Sequence, residues 1–266
     1  MTKYVFSTGG GVQSTACLIL AAQGEIPYDT FIFSNVGDKA ESPATVKYIQ
    51  EIVKPYARKH GINWVEVAWV DKQGRQRDLF DEQMNDGTNR IQLPAYLSGG
   101  MPMRRICTTD YKIKPIAKWI KNNAPGCTLG KGISTDEPHR ATPSRETDGY
   151  TSAYPLIELG ISRSDCLVIA KNAGLPQPPK SSCWFCPFKT TDQWVTMRRE
   201  RPELFAQAVK LEQELQERRK QLGKDPVYLS GIGGRKEVNL VDVIPQQLGL
   251  FGLEPEEGCE SGYCMT

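Results

Sequence analysis

Short apolar runs alternate with longer amphipathic stretches over the first two thirds of the chain. Tyr4 to Ser7 is apolar, only a few residues long and soon followed by glycines, a pattern that predicts a buried strand. Ser14 to Gln23 carries apolar residues at helical spacing, and Thr30 to Ser34 predicts a second buried strand. Pro43 opens a helix that runs to about His60 and stops before Gly61, with proline in the first turn and glycine just past the end. Asn63 to Trp69 predicts a third strand, with Val65 and Val67 at strand spacing around Glu66. Asp71 to Met103 is polar and glycine-rich with no sustained period, and is expected to contain a mobile loop. A helix over Lys114 to Asn122, a strand over Cys127 to Ile133 and a helix over Ser162 to Asn172 follow, the last capped by Ser162 and ended by Gly174. This alternation predicts an α/β fold, a Rossmann-like parallel sheet with covering helices.

The pattern changes at Pro176-Gln177-Pro178-Pro179-Lys180, where a boundary is expected. It divides an α/β domain over 1–175 from a small helical, cysteine-containing region over 176–266. Helices are predicted near Thr191 to Glu200 and over Pro202 to Leu222. Leu204, Ala208, Leu211 and Leu215 mark the buried face of the second, and Glu212 to Lys220 its solvated side.

Composition adds limits rather than direction. A chain of 266 residues with 39% hydrophobic and 24% charged residues can bury a core. No apolar run reaches the roughly 18 residues of a membrane span, and no signal-like segment opens the sequence, so a cytoplasmic setting without a membrane is expected. The net charge of +2 does not point to nucleic acid. Arg104, Arg105, Lys112, Lys114, Lys118 and Lys121 form either a local basic surface or a solvated helix face.

The first candidate chemistry lies between the first strand and the first helix, in Ser7-Thr8-Gly9-Gly10-Gly11-Val12-Gln13-Ser14. Glycines let the backbone turn tightly and approach a ligand, and a helix N-terminus offers unpaired N–H groups and partial positive charge. Ser7 and Ser14 add hydroxyls, and the whole suits a phosphate or pyrophosphate. The loop lacks the lysine of the Walker type and the spacing of the dinucleotide fingerprint.

Gly10-Gly11-Val12-Gln13-Ser14 resembles the PP-loop, whose usual form is Ser-Gly-Gly-x-Asp-Ser. Further segments resemble the phosphoadenosine phosphosulfate (PAPS) reductase family of that superfamily, in the same order. They are Phe33 to Asp38 with Glu41 to Thr45, Arg105 to Pro115, Gly132 to Arg140, and Tyr154-Pro155-Leu156. The resemblance covers roughly residues 3 to 210. It departs at Gly9, where the PP-loop begins with serine, and at Gln13, where ATP pyrophosphatases have aspartate; a glutamine can only hydrogen-bond there. The resemblance implies an adenine nucleotide held by Ser7 to Ser14, with Ser34 and Asp38 beside it and Glu137 and Arg140 in a segment that closes over the site. It also implies a role for Asp38 with Mg²⁺ or a ribose hydroxyl. Without the resemblance, Asp38 reads as a turn residue and Arg140 as half of a surface ion pair. His139 reads as a loop residue.

Eight cysteines in a chain expected to be cytosolic point to metal or redox chemistry rather than a disulfide framework. Cys17 and Cys166 sit in apolar helical surroundings and read as packing. Cys183-Trp184-Phe185-Cys186 is a tight Cys-x-x-Cys that can point two thiolates at one metal. Cys107 lies in the segment that resembles the reductases' first cluster-binding region. With Cys183 and Cys186 it is expected to hold a [4Fe–4S] cluster whose fourth iron is open or filled by another ligand. Structural zinc, completed by Cys127 or a histidine, a thiol–disulfide pair and plain buried cysteines remain the other readings. The doubled cysteine of the reductases is absent, since Ile106 and Thr108 flank Cys107. Cys259 and Cys264 close the chain, and a mobile C-terminal thiol such as Cys264 could act catalytically by delivering sulfur or electrons.

Three functions follow as expectations. The first is an ATP-dependent enzyme that adenylates a substrate, releases pyrophosphate and supports sulfur transfer through the cluster. The second is a sulfonucleotide reductase of the PAPS type working through a cysteine thiolate. The third is a non-catalytic nucleotide-binding protein with structural zinc. Expected partners are the adenine nucleotide, a nucleic-acid or small-molecule acceptor, a protein donor of sulfur or electrons, and a second copy of the chain in a homodimer.

Overall fold

The computed structural model describes residues 3–84, 90–231 and 238–243. Along the chain run β1 (Tyr4–Thr8), α1 (Val12–Ala22), β2 (Thr30–Asn35), α2 (Pro43–Tyr48), α3 (Lys54–Lys59), β3 (Asn63–Ala68), α4 (Leu79–Met84) and β4 (Tyr96–Leu97). They are followed by α5 (Ile106–Thr108), α6 (Lys114–Asn123), β5 (Thr128–Lys131), β6 (Thr151–Ala153), α7 (Pro155–Glu158), α8 (Arg163–Asn172), α9 (Thr191–Glu200), α10 (Pro202–Gln221) and β7 (Val227–Tyr228). These described residues fall into two compact units. The first takes in the chain up to Arg77 and Thr108–Ser182, the second Asp78–Cys107 and the chain from Cys183 on.

The first unit is an α/β layer structure around a five-stranded sheet of order β3-β2-β1-β5-β6, every pair parallel. Its central strands are apolar on both sides because both faces are covered. Phe6 and Phe31 point to one face, stacked at 4.8 Å, and join Ala16, Cys17 and Leu20 of α1 and Cys166 of α8. Val5, Ile32 and Leu129 point to the other and pack with Ile116 and Ile120 of α6.

Two helices contain a π-helical turn, Ile49–Val53 between α2 and α3 and Thr109–Ile113 before α6. Each turn ends directly before a Lys-Pro pair, Lys54-Pro55 and Lys114-Pro115. Proline cannot donate to the carbonyl four residues back and its ring crowds that carbonyl, so widening the preceding turn relieves the conflict. The helix expected as continuous from Pro43 to about His60 therefore carries this interruption.

The second unit is built on α10, which packs on α9, α4 and β7. β4 and β7 form an antiparallel pair, Tyr96 opposite Tyr228 and Leu97 opposite Val227. Phe80, Trp184 and Phe185 make an aromatic triad with centroids 5.0–5.4 Å apart.

The two units divide between Ser182 and Cys183, where the expected boundary was at 175/176, and the segment 78–107 groups with the second unit. The stretch from Asp71 to Met103, expected to hold a mobile loop, supplies α4 and β4 and buries Leu79, Ile91, Leu93 and Ala95; residues 85–89 lie outside the described residues. Its apolar residues are too widely spaced to show a period, yet each is anchored. On α10, Glu212 and Arg218 are buried rather than solvated, and Phe205, not Leu204, leads the buried face. No helix among the described residues is long and apolar enough to cross a membrane.

Candidate functional site

In an open parallel sheet, ligands bind beyond the C-terminal strand ends where successive connections leave in opposite directions. That point lies between β1 and β5, because β1 leads to β2 on one side while β5 lies on the other. A cavity opens there. Ser7 and Thr8 of β1, Gly9, Phe33 and Ser34 of β2, and Leu129 and Lys131 of β5 line it. Glu41, Thr108, Lys112, Ile113, Ile116, Tyr150 and Ser181 complete the wall.

The glycine loop joins β1 to α1, and its conformation excludes larger residues. Gly10 has φ +70°, and a Cβ on it would lie 2.7 Å from Ile49 Cδ1, the first residue of the π turn. Gly11 is extended, and a Cβ there would stand 2.5 Å from Ser181 Oγ. Ser181 thus reaches the loop from the proline-rich segment 176–181, which Tyr48 anchors by donating its hydroxyl to the Pro176 carbonyl at 2.9 Å. The first turn of α1 holds no acidic residue, so its positive end is uncompensated by side-chain charge.

The expected nucleotide-binding residues divide by what they do. Ser7, Thr8, Gly9 and Ser34 line the cavity, and the Ser34 hydroxyl donates to the Tyr111 carbonyl at 2.6 Å. Ser14 caps its own helix: its oxygen accepts from Gly11 N–H at 3.0 Å and its hydroxyl donates to Gly11 O. Val12 is buried in the core. Gln13 Oε1 accepts from Arg163 Nη1 at 2.9 Å, and Asp136 accepts from the Arg163 backbone N–H and from Ser134 Oγ. Asp38, Glu137 and Arg140 are not in the cavity wall. Asp38 is exposed on the turn after β2, where Asn35 Nδ2 donates to it at 2.8 Å. Glu137 and Arg140 form an ion pair with each other, and His139 is exposed.

Sequence reasoning passed over Glu41, Lys112, Lys131, Tyr150 and Ser181 as binding residues. Glu41 is buried, and burial raises its carboxyl pKa against the opposing pull of Lys112. Burial lowers the Lys131 ammonium pKa, with Asp148 drawing it back up. Its Nζ lies 5.9 Å from the ring centres of both Tyr150 and Tyr154. A lysine ending one strand and a tyrosine just before the next carry no motif; only the pairing of β5 with β6 brings them together.

Cys107, Cys183 and Cys186 all belong to the second unit, are half-buried and form no disulfide. Cys183 and Cys186 flank one turn, closed by Cys186 N–H donating to Cys183 O at 3.2 Å, and Cys107 N–H donates to Gln92 O at 2.9 Å. Among the described residues, no three His, Cys, Asp or Glu side chains stand close enough together to hold a metal ion. Cys17, Cys127 and Cys166 are buried in the first unit's core; burial drives the Cys17 thiol pKa well up and that of Cys166 to about 12, as suits packing. Cys259 and Cys264 lie outside the described residues.

Two solved structures resemble the chain. One is a PAPS reductase from Candida auris in complex with phosphate, at 12% identity and a TM-score of 0.46, covering 67% of this chain and 76% of that one. The other is the U34-tRNA thiolase NcsA from Methanococcus maripaludis with its [4Fe–4S] cluster, at 15% identity and a TM-score of 0.44, covering 84% and 72%. No protein-family model matches the chain, and no curated protein matches it.

Proposed function

We propose that the first unit binds an adenine nucleotide in the cavity at the C-terminal ends of β1, β2 and β5, and that the protein is a PP-loop enzyme that adenylates a substrate. The observation that carries this is the coincidence of that cavity, the glycine loop and an acid-free helix N-terminus at the point where the sheet's connections diverge. Phe33, Ile113, Ile116 and Leu129 supply apolar surface for the base, while Gly9 brings the glycine loop to the wall, where the phosphates would lie. A substrate oxygen attacks the α-phosphorus, the bond to pyrophosphate breaks, and the substrate becomes an adenylate. A sulfur nucleophile then attacks the activated carbon and AMP leaves with the oxygen. Asp38 is the proposed Mg²⁺ or ribose ligand on its exposed turn, and Glu137 and Arg140 the proposed closing segment. Cys264 is the proposed terminal thiol.

Cys107, Cys183 and Cys186 share the second unit, two of them on one turn, but do not stand together as a metal site in this structure. They would draw together to hold a [4Fe–4S] cluster, which supplies an iron able to carry sulfide; a structural zinc is the other occupant of such a set. The acceptor is a nucleic-acid base or a small molecule, in a cytoplasmic setting.

Anaerobically purified protein incubated with labelled ATP, and separately with PAPS, tests the reading. Release of pyrophosphate supports adenylation. Release of sulfite from PAPS would replace it with sulfonucleotide reduction, and nucleotide binding without turnover would leave a binding protein.

A further inference from the structure

Glu41, Lys112 and Lys131 bring charge to the cavity wall. Lys112 opposes the rise of the buried Glu41 carboxyl. Lys131 ends β5, is half-buried, lines the cavity and forms no ion pair among the described residues. Asp148 acts on it only through space, and its nearest organised neighbours are the faces of Tyr150 and Tyr154, each 5.9 Å from Nζ. Two aromatic faces fix the stem and attract the ammonium without neutralising it. A half-buried cation at a cavity wall carries a desolvation cost that a ligand anion would offset.

We infer that Lys131 is the anion-binding residue of this cavity, and that the ligand places a phosphate, or an equivalent sulfonate or carboxylate, against its Nζ while Tyr150 borders the same group. The inference rests on the nucleotide reading above and deepens it. The glycine loop offers backbone donors on the β1 side of the crevice, and Lys131 offers a charged donor on the β5 side, so the bound anion is held from both flanks of the switch point. Lys131 is a binding residue whose contribution depends on charge. Arginine, which keeps the charge and stacks on aromatic faces, substitutes for it in part; glutamine, which keeps much of the stem, does not.

The test is calorimetric titration of the full chain with ATP and with AMP, comparing wild type, Lys131→Gln, Lys131→Met and Lys131→Arg, with thermal melting as the check on folding. A charge-assisted contact predicts about a tenfold to hundredfold loss of affinity for both nucleotides in the glutamine and methionine variants, with arginine recovering most of it. The loss should shrink as salt is raised, because screening weakens the wild-type contact. If wild type binds ATP and the glutamine variant, folded to the same melting temperature, binds it equally well, Lys131 is not the anion ligand and the nucleotide reading stands. Equal losses in the arginine and glutamine variants would also overturn the inference, since a packing role would not follow charge. If wild type binds neither nucleotide, the nucleotide reading itself fails and takes this inference with it.

Discussion

Arg163 Nη1 donates to Gln13 Oε1 at 2.9 Å, tying the first turn of α8 to the first turn of α1. Gln13 stands where the PP-loop resemblance would place an aspartate, and the structure gives it a partner of its own. A carboxylate at position 13 would meet a guanidinium before it met a metal ion.

Gln13→Asp is therefore expected to leave the Mg²⁺ dependence of ATP binding unchanged, because Arg163 neutralises the new charge. Combining it with Arg163→Ala should release the carboxylate and make ATP binding Mg²⁺-dependent. Titration with ATP in excess Mg²⁺ and in chelator reads both outcomes. A Mg²⁺ requirement appearing in the single variant would show that Arg163 does not hold residue 13.

Gly10 carries a stability role that a ligand contact alone would not give. Its φ of +70° disfavours any residue with a Cβ, and that Cβ would meet Ile49. Gly10→Ala should destabilise the first unit by roughly 2–4 kcal/mol, from left-handed backbone and overpacking together. Ile49→Ala, harmful alone, should recover part of the loss in the double variant, because the two changes share one volume. Chemical denaturation of the four proteins tests the coupling; strictly additive losses would contradict the contact. A bulkier valine at this position would disturb folding as well as binding, so its effect on ATP could not be assigned to the loop alone.

Much of the α/β unit was legible because its signals are local. β1 and β2 are short apolar runs, β3 has Val65 and Val67 at strand spacing, and α8 announces itself through Ser162 and the reciprocal Asp165 cap. The glycine loop was legible for the same reason. The rest depends on partners distant in sequence. Leu79, Ile91, Leu93 and Ala95 look like scattered residues in a polar stretch until they are buried, and Lys131 and Tyr150 become one wall only when β5 pairs with β6. Glu212 belongs to the same class. A charge on the apparent solvent side of α10 gives no hint that Leu229 N–H and Leu240 N–H will donate to it, at 2.7 and 2.6 Å.

That buried carboxylate makes the second unit pH-sensitive. Burial, with the nearby Asp242 charge, raises the Glu212 pKa to about 7 against the two backbone donors. A carboxyl with a higher pKa folded than unfolded binds more protons in the folded chain between the two values. Stability should then fall as pH rises from about 4.5 to about 7, by roughly 2–3 kcal/mol. Glu212→Gln removes the titrating group and should flatten that slope. It should also lose roughly 1–3 kcal/mol at low pH, since an amide oxygen can serve only one side of the pair of donors. Melting curves from pH 4.5 to 8 distinguish the two effects, and an unchanged slope in the variant would place the titration elsewhere.

The cysteines give the sharpest test of the proposed chemistry. Protein prepared without oxygen in iron-replete cells should be brown and carry about four iron and four sulfide per chain, the composition of one cubane cluster. Cys107→Ala, Cys183→Ala and Cys186→Ala should each lose most of the colour, since each removes one thiolate of the set in the second unit. Cys17→Ala and Cys166→Ala should keep it: both side chains are fully buried in the first unit, with burial holding their thiols protonated. Those two variants should instead melt lower, by an amount set by the small cavity left between α1 and α8. Cys259→Ala and Cys264→Ala should retain iron, and loss of turnover in either would identify the terminal thiol as a participant. Colourless protein with about one zinc per chain would replace the cluster with a structural metal. The nucleotide site would stand regardless, because neither the glycine loop nor the cavity at the β1–β5 crevice includes a cysteine.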